Sequence, residues 1–304
     1  LGVVDGVNYY FLDAHNNLIA KSDDKLSQNG IDSLFKGEVA QRWVLDNFSR
    51  TTQEGKIGID RDLLKRSLIA ACGDANDGAA FDINGKVRRV GAWRDEKGRF
   101  VWHCGDVLIV LNEDGKWTEQ PLGLHGRMVF PAGDAVQPRP LTDLELSGGN
   151  QPGLTIEARS DKLLETLKSW NWAGGELDAR LLLGWIVAAL ASGALKWRPS
   201  AWITGDWGWG KSTIHTMIKA IAGGDGGIVQ ASNATAAGVW QTLNSRSLPV
   251  ALDEVEANAD NTKKVQVVEL ARESASGGTM LRGTGEHTGK QFQIWSSFLF
   301  SSIL

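Results

Sequence analysis

The sequence predicts an α/β protein: a parallel sheet with flanking helices, preceded by a smaller α+β segment. Three observations carry this reading. Ala201–Thr213 reads as a strand end, a glycine-rich turn and the start of a helix. From there onward apolar runs alternate with stretches of helical periodicity, the pattern of strands laid in parallel. Before it, residues 87–130 hold short apolar runs separated by glycine and charged turns, the pattern of antiparallel strands.

In chain order, Val7–Leu12 reads as a strand, residues 14–17 as a turn and Leu18–Lys21 as the return strand. Helical stretches follow at Asp23–Phe35, Gly37–Phe48 and Asp60–Cys72; in the last, Leu63, Leu64, Leu68 and Ile69 keep helical spacing. Val87–Trp93, Arg99–His103, Asp106–Leu111, Lys116–Gln120 and Arg127–Phe130 read as short strands. Pro131–Gly153 shows little periodicity and holds Pro138-Arg139-Pro140 and a glycine-rich run, so it marks a boundary. Residues 1–130 are therefore read as an α+β accessory domain, 131–156 as a linker and 157–304 as the α/β domain. Two helices open that domain, at 157–171 and 176–190. The strand into the glycine-rich turn, helix Lys211–Ala222, strand Gly227–Ala231, helix Thr235–Asn244, strand Pro249–Asp253 and helix Asn261–Ser274 follow. Thr279–Arg282 and Gln291–Trp295 read as two arms of a hairpin, and Phe298–Ser302 as the last strand. Ligands on such sheets bind at the carboxyl ends of the strands.

Composition narrows the class. The chain has 304 residues, is 42% hydrophobic and 22% charged, and carries a formal net charge of −4. That is the balance of a soluble globular protein, with no whole-chain positive field for nucleic acid; any such contact is local. Cys72 and Cys104 lie in no metal-ligand spacing and read as buried free thiols of a reducing cytoplasm. The 13 tryptophans are scattered along the chain and suggest packing more than one aromatic site. Leu181–Leu195 is too short to span a bilayer, which needs about 20 residues, so it reads as a buried helix and no membrane partner is expected. The N-terminus is Leu1 and shows no signal-peptide pattern; the chain is expected to be a fragment of a longer one.

The chemistry centres on Gly205-Asp206-Trp207-Gly208-Trp209-Gly210-Lys211-Ser212-Thr213, which matches G-x-x-x-x-G-K-[ST] in a strand–turn–helix context. Glycines let successive backbone N–H groups face a phosphate, and the helix N-terminus adds partial positive charge. Lys211 is expected to reach the outer phosphates and the Ser212 hydroxyl to hold Mg²⁺. Hydrolysis also needs a carboxylate for the metal and a group that orients water. Val250-Ala251-Leu252-Asp253-Glu254 offers both: Asp253 for Mg²⁺ and Glu254 to polarise the attacking water. The strand–helix unit between them suggests the ATPase class in which another strand separates the loop strand from the acid-bearing strand. That class places a polar sensor at the tip of a later strand, where Ser301 or Ser302 fits. The hairpin carries His287 and Lys290 at its tip and Arg282 on one arm. Such a basic tip can follow a phosphate backbone without reading sequence; an ordinary solvated hairpin is the alternative.

The run from Trp202 to Ile303 resembles the superfamily 3-like (AAA+) helicase domains of phage and mobile-element primase-helicases. The likeness is carried by Gly205–Thr213, Ala234-Thr235-Ala236-Ala237-Gly238, Leu248–Glu254, Leu270-Ala271-Arg272 and Phe298–Ile303. Arg88–Trp93 and His103-Cys104-Gly105-Asp106 are similar to the segment preceding the motor in the same group. The resemblance implies a P-loop NTPase fold and an ATP-driven homo-oligomeric ring, a hexamer, moving on single-stranded DNA in a bacterial host's cytoplasm. It also implies that the hairpin contacts DNA and that an upstream primase module is joined to the ring by the first domain. Three departures stand out. Trp207 and Trp209 occupy loop positions the family fills with small residues. Its sensor is more often asparagine-like. Its arginine finger normally follows the sensor strand, so it is expected beyond Leu304, with Arg272 and Arg282 as stand-ins.

The function expected on these grounds is the ATP-dependent DNA helicase motor of a replication primase-helicase, with Lys211, Asp253, Glu254 and Ser302 in the catalytic set. Two rivals stay open: a non-replicative DNA-dependent ATPase, and an origin- or partner-binding module in which nucleotide drives assembly alone.

Overall fold

The computed structural model describes residues 1–51, 55–136, 156–232, 234–253, 262–283 and 289–303. It divides into two compact units, Leu1–Val87 with Leu122–Gly133, and Arg88–Pro121 with Asp134–Leu304. This cuts the chain differently from the expected 1–130/157–304 division.

The first unit opens on an antiparallel meander of Gly2–Val4, Asn8–Leu12 and Leu18–Ser22. Its second turn is made by Asp13, whose carboxylate accepts the backbone N–H groups of His15 and Asn17 at 2.9 Å, an Asx turn. Helix Arg61–Asp74 starts where the Asp60 side chain accepts from the Leu63 N–H at 3.0 Å, which satisfies an amide with no intrahelical partner. Tyr9, Leu26, Ile31, Leu34, Val44 and Leu64 form the core. The expected single helix over 23–35 is instead a 3-10 turn at Asp23–Lys25 and a short helix at Gln28–Asp32. Gly30 shows why the chain closes so tightly there: a Cβ on it would lie 1.8 Å from the Lys25 carbonyl oxygen. A ribbon of Gly123–His125 and Met128–Phe130 also belongs to this unit.

The second unit holds two four-stranded sheets. Gly91–Arg94, Phe100–His103, Leu108–Leu111 and Trp117–Gln120 form an antiparallel meander in sequence order. The other sheet is parallel throughout. We name its members the loop strand (Ala201–Thr204), the outer strand (Val229–Ala231), the acid strand (Val250–Leu252) and the serine strand (Phe298–Ser302). Across the sheet the order is loop, serine, acid, outer.

Helices cover both faces of the parallel sheet, which is why the serine strand is apolar without interruption until Ser301. Val250, Leu252, Phe298 and Phe300 pack with Val239 and Leu243 of helix Ala236–Leu243 and with Val267 and Leu270 of helix Thr262–Ser276. The alternate residues Ile203, Ala251 and Leu299 pack on the opposite face. Their partners are Leu182 and Ile186 of helix Glu176–Leu190, and Ile214 and Ile218 of the loop helix, Lys211–Ile221. The expected strands and helices of this half appear with ends shifted by a few residues, the usual uncertainty of helix and strand ends.

Ser247 ties the meander to this layer. Its N–H donates to Val90 O at 3.0 Å, and its hydroxyl accepts from Gly193 N at 2.6 Å and donates to Trp295 O at 2.9 Å. Gly91 lies at φ +131°, and a Cβ there would sit 2.4 Å from the Ser247 carbonyl oxygen. The Arg88 guanidinium stands over Trp93 and Trp295, at 5.0 and 5.2 Å from the ring centroids. Such desolvated cation–π pairs are worth about 2 kcal/mol.

Candidate functional site

The parallel arrangement brings the carboxyl ends of the loop, serine and acid strands to one end of the sheet. Thr204 is registered with Ser302, and Leu252 with Phe300. Gly205–Gly210 leaves the loop strand there. Gly208 and Gly210 take positive φ, +80° and +84°, which an L side chain adopts only at a cost. Gly210 caps the loop helix in the left-handed conformation, and the Ile214 N–H returns to its carbonyl at 3.1 Å.

Lys211 sits at the first helical position. Its Nζ donates to the carbonyls of Gly205 at 2.5 Å and Asp206 at 3.0 Å, so the ammonium is held inside the loop's curve. Ser212 and Thr213 are exposed on the first turn of the helix, which carries the partial positive charge of a helix N-terminus. Trp207 and Trp209 project from the loop and are 88% and 58% exposed. Both rings reach solvent, and that of Trp209 also lies against Gly205, where a Cβ would stand 3.4 Å from it.

Asp253 lies one residue beyond the acid strand, and its N–H donates to Ala231 O at 3.0 Å. The Ser301 hydroxyl donates to the Asp253 carboxylate. Ser302 takes a different partner: its hydroxyl accepts from Trp202 Nε1 at 2.9 Å, beside the stacked rings of Trp202 and Phe300. Side chains alternate along a strand, so two adjacent serines cannot serve the same face. Of the two candidates, Ser301 meets the acid and Ser302, which the catalytic set included, does not.

His215, absent from the expected set, sits on the loop helix four residues after Lys211. It is 1% exposed, and neither ring nitrogen has a hydrogen-bond partner among the described residues. Burial pushes its imidazole below the ordinary range, partly offset by the Asp253 carboxylate. The neutral ring is therefore favoured near pH 7. Helical spacing was the available signal, since residues four apart share a face.

Glu254 and His287 lie outside the described residues. Arg282 and Lys290 are directly opposite each other on the paired strands Thr279–Gly283 and Gly289–Gln293. Arg272 is exposed and pairs with Glu269 at 2.9 Å on its own helix. Among the described residues no three His, Cys, Asp or Glu side chains gather as a metal cluster. No helix among them is long and apolar enough to cross a membrane.

No family model and no curated protein matches the chain. Solved structures of the NrS-1 C-terminal region do match. An apo form aligns at 14% identity with a TM-score of 0.39, over 69% of this chain and 53% of that one. A second apo form, with 14% identity and a TM-score of 0.35, is covered to 49% by 82% of this chain. The chain thus spans about half the length of the solved chains it matches. At these TM-scores the likeness carries no argument about the site.

Proposed function

We propose that the second unit is a P-loop ATPase motor that binds MgATP at Gly205–Thr213 and hydrolyses it to move along single-stranded DNA, as the helicase part of a replication protein. One observation carries the reading: the serine strand lies between the loop strand and the acid strand, which brings the glycine loop, Lys211, Asp253 and Ser301 to one end of the sheet. A structural serine–aspartate pair alone needs no glycine loop beside it.

The donor set fits the cation. The Ser212 hydroxyl and Asp253 carboxylate are hard oxygen ligands of the kind Mg²⁺ takes, together with substrate phosphates. When bound, Mg²⁺ neutralises charge on the phosphates. Lys211 exchanges its two loop carbonyls for phosphate oxygens, and the loop's N–H groups orient the chain of phosphates. Ser301 holds the Asp253 carboxylate in one rotamer. Glu254, next in sequence, polarises the attacking water. DNA contact falls to the hairpin, through Arg282, His287 and Lys290, and the ring, a homo-hexamer, supplies the finger arginine from a neighbouring subunit.

Nucleotide binding is the first test, because it needs no neighbour. Lys211→Ala is expected to abolish ATP binding, and Glu254→Gln to keep binding while losing hydrolysis. A wild-type chain that binds no nucleotide would refute the motor. Retained DNA-linked function in Glu254→Gln would favour the assembly module. Paired His287→Ala and Lys290→Ala substitutions are expected to weaken single-strand affinity and flatten its salt dependence; unchanged values would remove the hairpin from the DNA path.

A further inference from the structure

The glycine loop has an aromatic neighbour that phosphate chemistry does not use. The connection Trp170-Asn171-Trp172, between helices Ile156–Lys168 and Glu176–Leu190, faces the loop. A groove of about 270 Å³ opens between them, lined by Trp170, Asn171, Trp172, Thr204, Trp209 and Lys211. It continues past Asn171, Trp172 and Trp209 into a wider groove of about 710 Å³ that reaches Gly205 and Trp202. The wider groove has the size of small-molecule sites.

Its walls are held in place. Trp172 Nε1 donates to Leu167 O at 2.7 Å, and the Trp172 N–H donates to Trp170 O at 3.0 Å. Trp170 is seated against the loop itself: a Cβ on Gly210 would lie 2.7 Å from the Trp170 indole nitrogen. Trp209 leans on Gly205, where a Cβ would meet its ring at 3.4 Å, yet the residue is more than half exposed. Asn171 stands exposed between the two tryptophans, and its amide has no hydrogen-bond partner among the described residues.

We propose that this groove takes the adenine base of the bound nucleotide. The proposal rests on the reading of Gly205–Thr213 as the phosphate site. The groove begins at Lys211, where the phosphates lie, and runs away from it along the sheet's open edge, so a nucleotide anchored by its phosphates has its base directed there. Flat indole faces suit a purine ring, and an asparagine amide can pair with the amino and ring-nitrogen edge of adenine. The tryptophans at loop positions 207 and 209 thus divide: Trp209 is the residue whose ring lines the groove.

The test compares MgADP with Mg-pyrophosphate, titrated calorimetrically into the full chain. Wild type is expected to bind ADP at least tenfold more tightly than pyrophosphate. Trp209→Ala and Asn171→Ala are each expected to weaken ADP roughly five- to a hundredfold, from the usual worth of base stacking for the indole and of a bidentate amide–adenine pair for Asn171, with pyrophosphate unchanged. Trp209→Phe, which keeps an aromatic face, recovers most of the loss. Equal ADP and pyrophosphate affinities in wild type overturn the base site while leaving the phosphate site standing. Equal losses for both ligands in Trp209→Ala overturn it as well, since they indicate a distorted loop. Binding of neither ligand by wild type rejects the phosphate site and the base site together.

Discussion

Replacing Ser301 and Ser302 separately by alanine tests how the strand order builds the site. Ser301 is 0% exposed and donates to the Asp253 carboxylate. A hydrogen bond to a charged group contributes about 1.5–3 kcal/mol. If Asp253 must hold its rotamer through the reaction, Ser301→Ala slows ATP turnover by roughly ten- to a hundredfold. Ser302 receives a neutral bond from Trp202 at 2.9 Å. Its loss costs about 0.5–1.5 kcal/mol of strand packing and leaves turnover per folded molecule near the wild-type value. The assay is steady-state ATP hydrolysis at saturating nucleotide on single-stranded DNA, with urea denaturation of the same samples to correct for unfolded protein. A larger turnover loss in Ser302→Ala, or none in Ser301→Ala, refutes the assignment of faces.

Three further outcomes are expected. The unfolded chain takes up the His215 proton before the folded one as pH falls below about 6.5, because burial lowers the folded value; the His215 contribution to stability is therefore full above that pH and lost progressively below it. His215→Gln removes this share of the slope, read from urea midpoints between pH 7 and 5; a slope equal to that of the wild type would refute it. Ser247→Ala strands the Gly193 N–H and the Trp295 carbonyl and is expected to cost about 2–4 kcal/mol in denaturant unfolding; a change within error would mean that the meander is held otherwise. Cys72 and Cys104 are both buried, and burial pushes the Cys72 thiol up, so neither should react with a disulfide reagent until the protein unfolds. Fast labelling of the native chain would contradict that burial.

Much of the second unit was legible because its signals are local. The glycines and Lys211 of the loop sit in one short run, and Thr235 announces a helix start by capping Gly238 N at 3.0 Å. Uninterrupted apolar runs and period-3.6 patterns separated strands from helices through Phe298–Ser302. The first unit was less legible. At Asp23–Phe35 apolar residues fall at near-helical spacing, but the backbone leaves helical geometry at Leu26, between the 3-10 turn and the short helix, and the close approach there is one that only Gly30, without a Cβ, tolerates. The division of the chain likewise draws on contacts that are not local. The low-periodicity run after Pro131 looks like a boundary, whereas the meander docks through Ser247 and Trp295, far downstream, and leaves no mark in its own sequence.

The sequence alone determined which chemical groups the site could draw on, and in what local setting: a glycine loop ahead of a helix, an acid after an apolar strand, serines at a strand end. These depend on residues within a turn or two of one another, so composition and spacing carry them. Tertiary structure decided which groups meet. Adjacent serines look equivalent in sequence, and the face each takes is set by the register of the serine strand between its two neighbours. His215 and Trp170 likewise acquire meaning when the loop helix and the helix connection fold against the sheet. Contacts between residues distant in sequence depend on packing of the whole layer, and no local pattern encodes them.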